Sequence, residues 1–252
     1  MQCQIALPPN WVGASRLETA IRACGHPHGP GVYEVVIQFP IGCKVMIDAA
    51  IRLLSLADQL AFTTCRVRLD FEEGASGTMG YLNRMGFFDH LAASIDVTPR
   101  RPVYSGAELH RGGNAGLVEI ARINKDARDR KLPTRLTEAL MRSCCQRADA
   151  ADLEGAAWTI FAELIDNVFS HSQTPLDGYA ALQAYQSGDR LTVAVSDSGL
   201  GIMQTLRPPC ITSFHAWSVS LMSSFWSKCS SKACPAMVQT GDAGSRAAQR
   251  RP

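Results

Sequence analysis

Three polar side chains interrupt the apolar run FAELIDNVFSHS at residues 161–172: Glu163, Asn167 and His171, each four residues from the next. At 3.6 residues per turn, a step of four rotates a side chain by only about 40°, so the three form one slanted stripe on a helix and meet the same solvent or the same ligand. Leu153, Ala157, Ile160, Leu164 and Val168 follow helical spacing beside that stripe, with Asp152 as the expected N-cap. One flank of the helix can thus bury itself while the next lines a cavity. A second group follows about 30 residues on, in VAVSDSGLGI at 193–202. There Asp197 ends an apolar strand and opens a D-x-G-x-G pattern through Gly199 and Gly201. The glycines let the backbone turn tightly and approach a flat ligand, and the carboxylate can accept a hydrogen bond from an exocyclic amine.

A helix bearing E-x-x-x-N-x-x-x-H, then a two-stranded hairpin, then D-x-G-x-G, resembles the GHKL family, the ATP-binding fold shared by gyrase, a heat-shock chaperone, sensor histidine kinases and a mismatch-repair protein. The resemblance covers roughly residues 115–206. It implies ATP and Mg²⁺ as cofactors. Asn167 would hold the metal against the phosphates, as a hard oxygen donor suits that ion. Glu163 would act as general base or position the attacking group. Asp197 would bind the adenine amine, with Gly199 and Gly201 making room, and His171 would lie close to the phosphates or the metal's shell. The same family carries a lid and a second glycine motif that wraps the phosphates. Neither pattern occurs after Leu206, so impaired catalysis and marginal stability are expected, because backbone N–H groups of such a loop supply much of the electrostatic preorganisation.

The elements that must position these groups read as an α/β chain in two parts. In residues 1–98, SRLE at Ser15–Glu18 has the capping-box pattern with Gly25 as a helix stop. GVYEVVIQF alternates as a strand through Val35, Ile37 and Phe39, residues 44–60 repeat at helical spacing, and CRVRLDF returns to period two. SIDV is a further short strand. LDFEEGASGTMGYL, a strand followed by a Ser76-Gly77 turn into a helix, is weakly similar to the STAS domains of anti-sigma-factor antagonists. Ser76 is expected as a helix cap rather than a phosphoacceptor. Residues 99–115, rich in Pro, Gly and Arg, read as a linker. Residues 116–206 then supply a strand at LVEIARI, a helix at LPTRLTEALMRSC, the polar-ladder helix, and two strands joined near Ser187-Gly188-Asp189. The fold class is therefore α/β (α+β), a STAS-like layer followed by an incomplete GHKL-type sandwich.

Composition narrows the class. With 46% hydrophobic and 19% charged residues the chain is ordinary for a globular protein, and a net charge of +2 points to neither nucleic acid nor membrane. Six Lys/Arg against one Asp fall in residues 207–252, a Ser-rich stretch expected to be a disordered tail, arising from out-of-frame coding or recombination. Nine scattered cysteines, an odd number in a chain of this length, read as reduced thiols of a cytoplasmic protein. CGHPH at 24–28 reads as a loop, since a zinc site needs about four ligands. The expectation is a cytoplasmic, ATP-binding regulatory protein with a protein partner and a possible homodimer. A histidine-kinase fragment and a purely interacting module are the alternatives. Neither His90-Leu91 nor His110-Arg111 has the acidic follower expected of an acceptor histidine.

Overall fold

The computed structural model describes residues 1–124, 126–144, 148–185 and 190–199; Gly201 and the 207–252 stretch lie outside them. The fold is α/β. Its first part comprises β1 (Gln2–Ala6), β2 (Trp11–Val12), α1 (Ala14–Cys24), β3 (Glu34–Phe39), β4 (Lys44–Val45), α2 (Ile47–Phe62), β5 (Arg66–Phe71), α3 (Gly77–Arg84), α4 (Phe87–His90) and β6 (Asp96–Thr98). The short α5 (Gly106–Leu109) lies in the 99–115 stretch. It is followed by β7 (Leu117–Ile123), α6 (Leu132–Ser143), α7 (Ala150–His171), β8 (Gly178–Tyr185) and β9 (Arg190–Ser196).

The first sheet runs β1-β3-β5-β6, parallel throughout, and the second runs β7-β8-β9, antiparallel; β2 and β4 form a small parallel pair. In the first sheet Cys3, Ile5, Val35, Ile37, Phe39, Val67, Leu69 and Phe71 turn inward and are buried. The row facing the other way carries the exposed Gln2, Gln4, Arg66 and Asp96 and the half-buried Glu34, Gln38, Arg68 and Asp70, with Val36 its one buried apolar member among these strands. Alternation of this kind is unusual for a parallel sheet, which is ordinarily buried on both faces.

Helix α2 lies between the two sheets. It packs on β5 on one side and on β8 and β9 on the other. Strand β8 is buried on both faces: Tyr179 and Ala181 join the core around α2, while Ala180 and Leu182 join Leu132, Leu136, Ala139, Ala157, Phe161, Ile165 and Val168 under α6 and α7. The order of layers is thus parallel sheet, α2, antiparallel sheet, α6 with α7. Polar contacts also cross between the first part and the second sheet. Ile120 N–H donates to Met85 O at 2.9 Å, Tyr81 Oη donates to Gln183 Oε1 at 2.6 Å, and Arg84 pairs with Glu119 at 2.9 Å.

Several local expectations are corrected. Helix α1 begins at Ala14 rather than at a Ser15 cap, and its first N–H donates to Asp48 Oδ2 of α2 at 3.0 Å, so a neighbouring helix supplies the capping oxygen. Gly25 does end α1, at φ 98°. Helix α7 starts after Asp149, leaving Asp152 in its first turn, where a carboxylate still favours the helix dipole. Cys3 and Cys24 form a disulfide across a separation of 21 residues, tying β1 to the end of α1, so these two are not the reduced thiols expected. Among the described residues Cys43 and Cys65 are buried free thiols.

Candidate functional site

The polar ladder lies on α7, and the packing of α7 decides what the ladder faces. Ala157, Phe161, Ile165 and Val168 form its buried stripe. Phe161 and Ile165 take the places expected for Ile160 and Leu164, and Leu164 is 40% exposed. From that stripe, helical rotation puts Glu163 roughly opposite the core and Asn167 about 40° nearer to it. Both are exposed. His171 is the last residue of α7. Arg128 runs along the same helix, bonding Asp166 Oδ1 at 2.7 Å with its guanidinium carbon 4.9 Å from the Phe169 ring centroid.

The strand motif reaches the same end of the helix. Gly178 and Ser196 belong to adjacent strands, and a Cβ on Gly178 would meet Val168 Cγ1 at 2.5 Å and Ser196 O at 2.8 Å; the missing side chain lets α7 lie directly on the strand. Beyond β9, a Cβ on Gly199 would stand 1.8 Å from Ser172 O. The turn after β9 therefore abuts the C-terminus of α7 in a space that only glycine fits. Asp197 Oδ1 accepts the Gly199 N–H, which fixes the carboxylate relative to the turn while leaving acceptor capacity for another donor. At 1.5 Å of rise per residue, Asn167 and Glu163 stand about 7.5 and 13.5 Å back along α7 from Ser172. Asp197, Asn167 and Glu163 thus follow one another from the turn along one helix.

Three further groups at this junction carry no signal in the local sequence. Ser172 is 1% exposed and its hydroxyl has no hydrogen-bond partner among the described residues, an uncommon state for a buried polar atom. Ser55 and Gln59, four residues apart on α2, reach β9 and its turn: Ser55 Oγ lies 2.5 Å from Ser196 Oγ, and Gln59 Nε2 donates to Ser198 O at 3.0 Å. Next to them Tyr179 Oη donates to Asp58 Oδ2. Burial pushes the Asp58 carboxyl up from its ordinary value, and the Tyr179 hydrogen bond and Arg122 oppose that rise.

Elsewhere, Ser76 occupies the N-cap position of α3, but its hydroxyl donates back to Glu73 O at 2.9 Å instead of capping an N–H. His26 and His28 lie in the loop after α1. Burial and the nearby Arg52 lower the His28 pKa from its ordinary value. Among the described residues no group of three or more His, Cys, Asp or Glu is placed to hold a metal. The carboxamide oxygen of Asn167, exposed on α7, is a hard donor of the kind a divalent cation accepts. Among the described residues no helix is long and apolar enough to cross a membrane.

Neither the family models, nor the curated proteins, nor the solved structures include one that matches this chain.

Proposed function

We propose that this chain is an ATP-binding regulatory protein of the GHKL kind, with the nucleotide lying along α7 and its adenine at the turn after β9. The carrying observation is the junction at Ser172. There Gly199 fits against the end of the helix, bringing Asp197 toward the half of α7 that carries the exposed Glu163 and Asn167. In this reading Asp197 accepts from the adenine amine, beside Gly199 and Gly201. Asn167 would give its oxygen to Mg²⁺, His171 would lie near the phosphates or the metal's shell, and Glu163 would orient or deprotonate the attacking group. Bound Mg²⁺ supplies charge neutralisation of the phosphates. Binding is the property to test first, since no second glycine motif follows Gly201 in the sequence. A serine kinase acting on a protein partner, or an ATPase switch, is the activity this site would serve.

Calorimetric titration of the full chain with a non-hydrolysable ATP analogue and Mg²⁺, with Asn167→Ala alongside, tests the reading. Metal-dependent binding that the variant loses is the expected result. A folded wild-type chain that takes up no heat would sink it.

One observation favours a second reading, a module that binds only a protein. Trp158 and Leu164 of α7 are 48% and 40% exposed, one on each side of the buried stripe, and large apolar groups at the surface suit a protein partner. That module would show no nucleotide affinity.

A further inference from the structure

We propose that Gln59 of α2 is a positioning residue for the nucleotide site: by holding the Ser198 carbonyl it fixes the Asp197–Gly199 turn, so that the N-terminal layer sets nucleotide affinity. The inference rests on the nucleotide reading above.

Ser198 is the residue between the carboxylate and the glycine, so its peptide plane determines where both point. It is 7% exposed and held from two sides. Its hydroxyl donates to Asp177 O at 3.2 Å, within the second sheet's own part of the chain, and its carbonyl accepts from Gln59 Nε2 at 3.0 Å, across the layer boundary. One turn earlier on α2, Ser55 bonds Ser196 at 2.5 Å, so two successive polar positions on one helix face grip the end of β9. The adjacent Asp58–Tyr179 bond anchors the same face of α2 to β8. A carboxylate that reads an exocyclic amine must be held within a fraction of an ångström to discriminate, and such holding comes from supporting hydrogen bonds like these. The support here comes from a helix that also packs on the parallel sheet. A displacement of α2 by anything that binds the first sheet is therefore transmitted to Asp197.

The test uses the full chain and two substitutions. Gln59→Met keeps the length and packing of the side chain without its N–H, and Gln59→Lys restores a donor on a similar stem. Affinity for the non-hydrolysable ATP analogue with Mg²⁺ is measured by calorimetry, and amide exchange over residues 196–199 is measured without ligand. The Met variant is expected to bind about five- to tenfold more weakly and to exchange faster at the turn, with the Lys variant recovering both. Wild-type affinity and wild-type exchange in the Met variant would overturn the proposal, as would a Lys variant that recovers neither. A wild-type chain that binds no nucleotide overturns the underlying reading. The ligand-free exchange then separates the two failures, since a faster turn in the Met variant leaves Gln59 a structural clamp and removes its positioning role.

Discussion

At the scale of single residues, the proposed nucleotide site gives the Asp197 carboxylate two tasks, and chemistry can separate them. One oxygen accepts the Gly199 N–H and shapes the turn. Asp197→Asn keeps an acceptor for that bond but replaces the other oxygen with a donor, which repels an adenine amine and suits a guanine carbonyl. A charged hydrogen bond contributes about 2 kcal/mol, so adenine nucleotide affinity should fall about 30-fold while thermal stability changes little. Calorimetry with adenine and guanine nucleotides reads both. His90 offers a second residue-scale prediction. Its Nε2 donates to the Ile120 carbonyl at 2.8 Å, and burial lowers its pKa below the ordinary 6.5 despite that bond. Arg122 lowers it further, while Asp89 and Asp177 act in the opposite sense. A histidine whose native pKa is depressed takes up protons preferentially when unfolded. Its contribution to stability is therefore complete above pH 6.5 and is lost as the pH falls from there toward the native value. Urea unfolding between pH 5 and pH 7.5 should show a slope that His90→Gln reduces; an unchanged slope would refute the account.

At the scale of elements, packing chose between readings that the sequence left equal. Strands β3 and β5 and helices α2 and α6 were legible because one face of each is polar enough to give a clear period. Strand β1 was not read as one, since only Cys3 and Ile5 mark its inward face over five residues. In β8 the alternation was hidden, because residues 178–182 are buried on both sides and every position is apolar or glycine. Helix α7 presented two adjacent apolar stripes. The sheet took the one through Phe161 and Ile165, which left Leu164 outside, and Glu163 and Asn167 stayed exposed. The Cys3–Cys24 pairing could not be read from the spacing of nine cysteines, and Gln59 reaches Ser198 across 139 residues, beyond any local pattern. The proposed site residues Glu163, Asn167, Asp197 and Gly199 thus come from motif and spacing, whereas the α2 groups that hold the turn after β9 leave no local pattern. The element-scale prediction concerns Gly178. An alanine there must displace Val168 or the Ser196 carbonyl, so Gly178→Ala should destabilise by about 1–3 kcal/mol and loosen α7 on the sheet. Chemical denaturation measures the first, and exchange of the α7 amides the second; a neutral substitution would show that the helix stands off the strand in solution.

At the scale of the whole molecule, α2 packs on both sheets, on β5 from one side and on β8 and β9 from the other. Leu53, Leu54 and Leu56 are each 1% exposed or less and share a core with Tyr179 and Ala181 from β8. A layer that lost its neighbour would expose one side of that core. Unfolding monitored by Trp fluorescence and by far-UV circular dichroism should therefore follow a single coincident transition. Leu54→Ala should move both signals together by about 2–5 kcal/mol. Two separated transitions would mean that the layers fold independently. The same arrangement governs how the chain is made. The partners of α2 in β9 and its turn lie about 140 residues downstream of Ser55 and Gln59. At ribosomal rates of about 5–20 residues per second they emerge roughly 7 to 28 s later. Through that interval α2 can pack on the parallel sheet behind it, while the side that will meet β8 and β9 has nothing of the chain's own to set against it. A folding helper that shields such faces during synthesis would then raise the yield of native protein far more than one supplied to the finished chain.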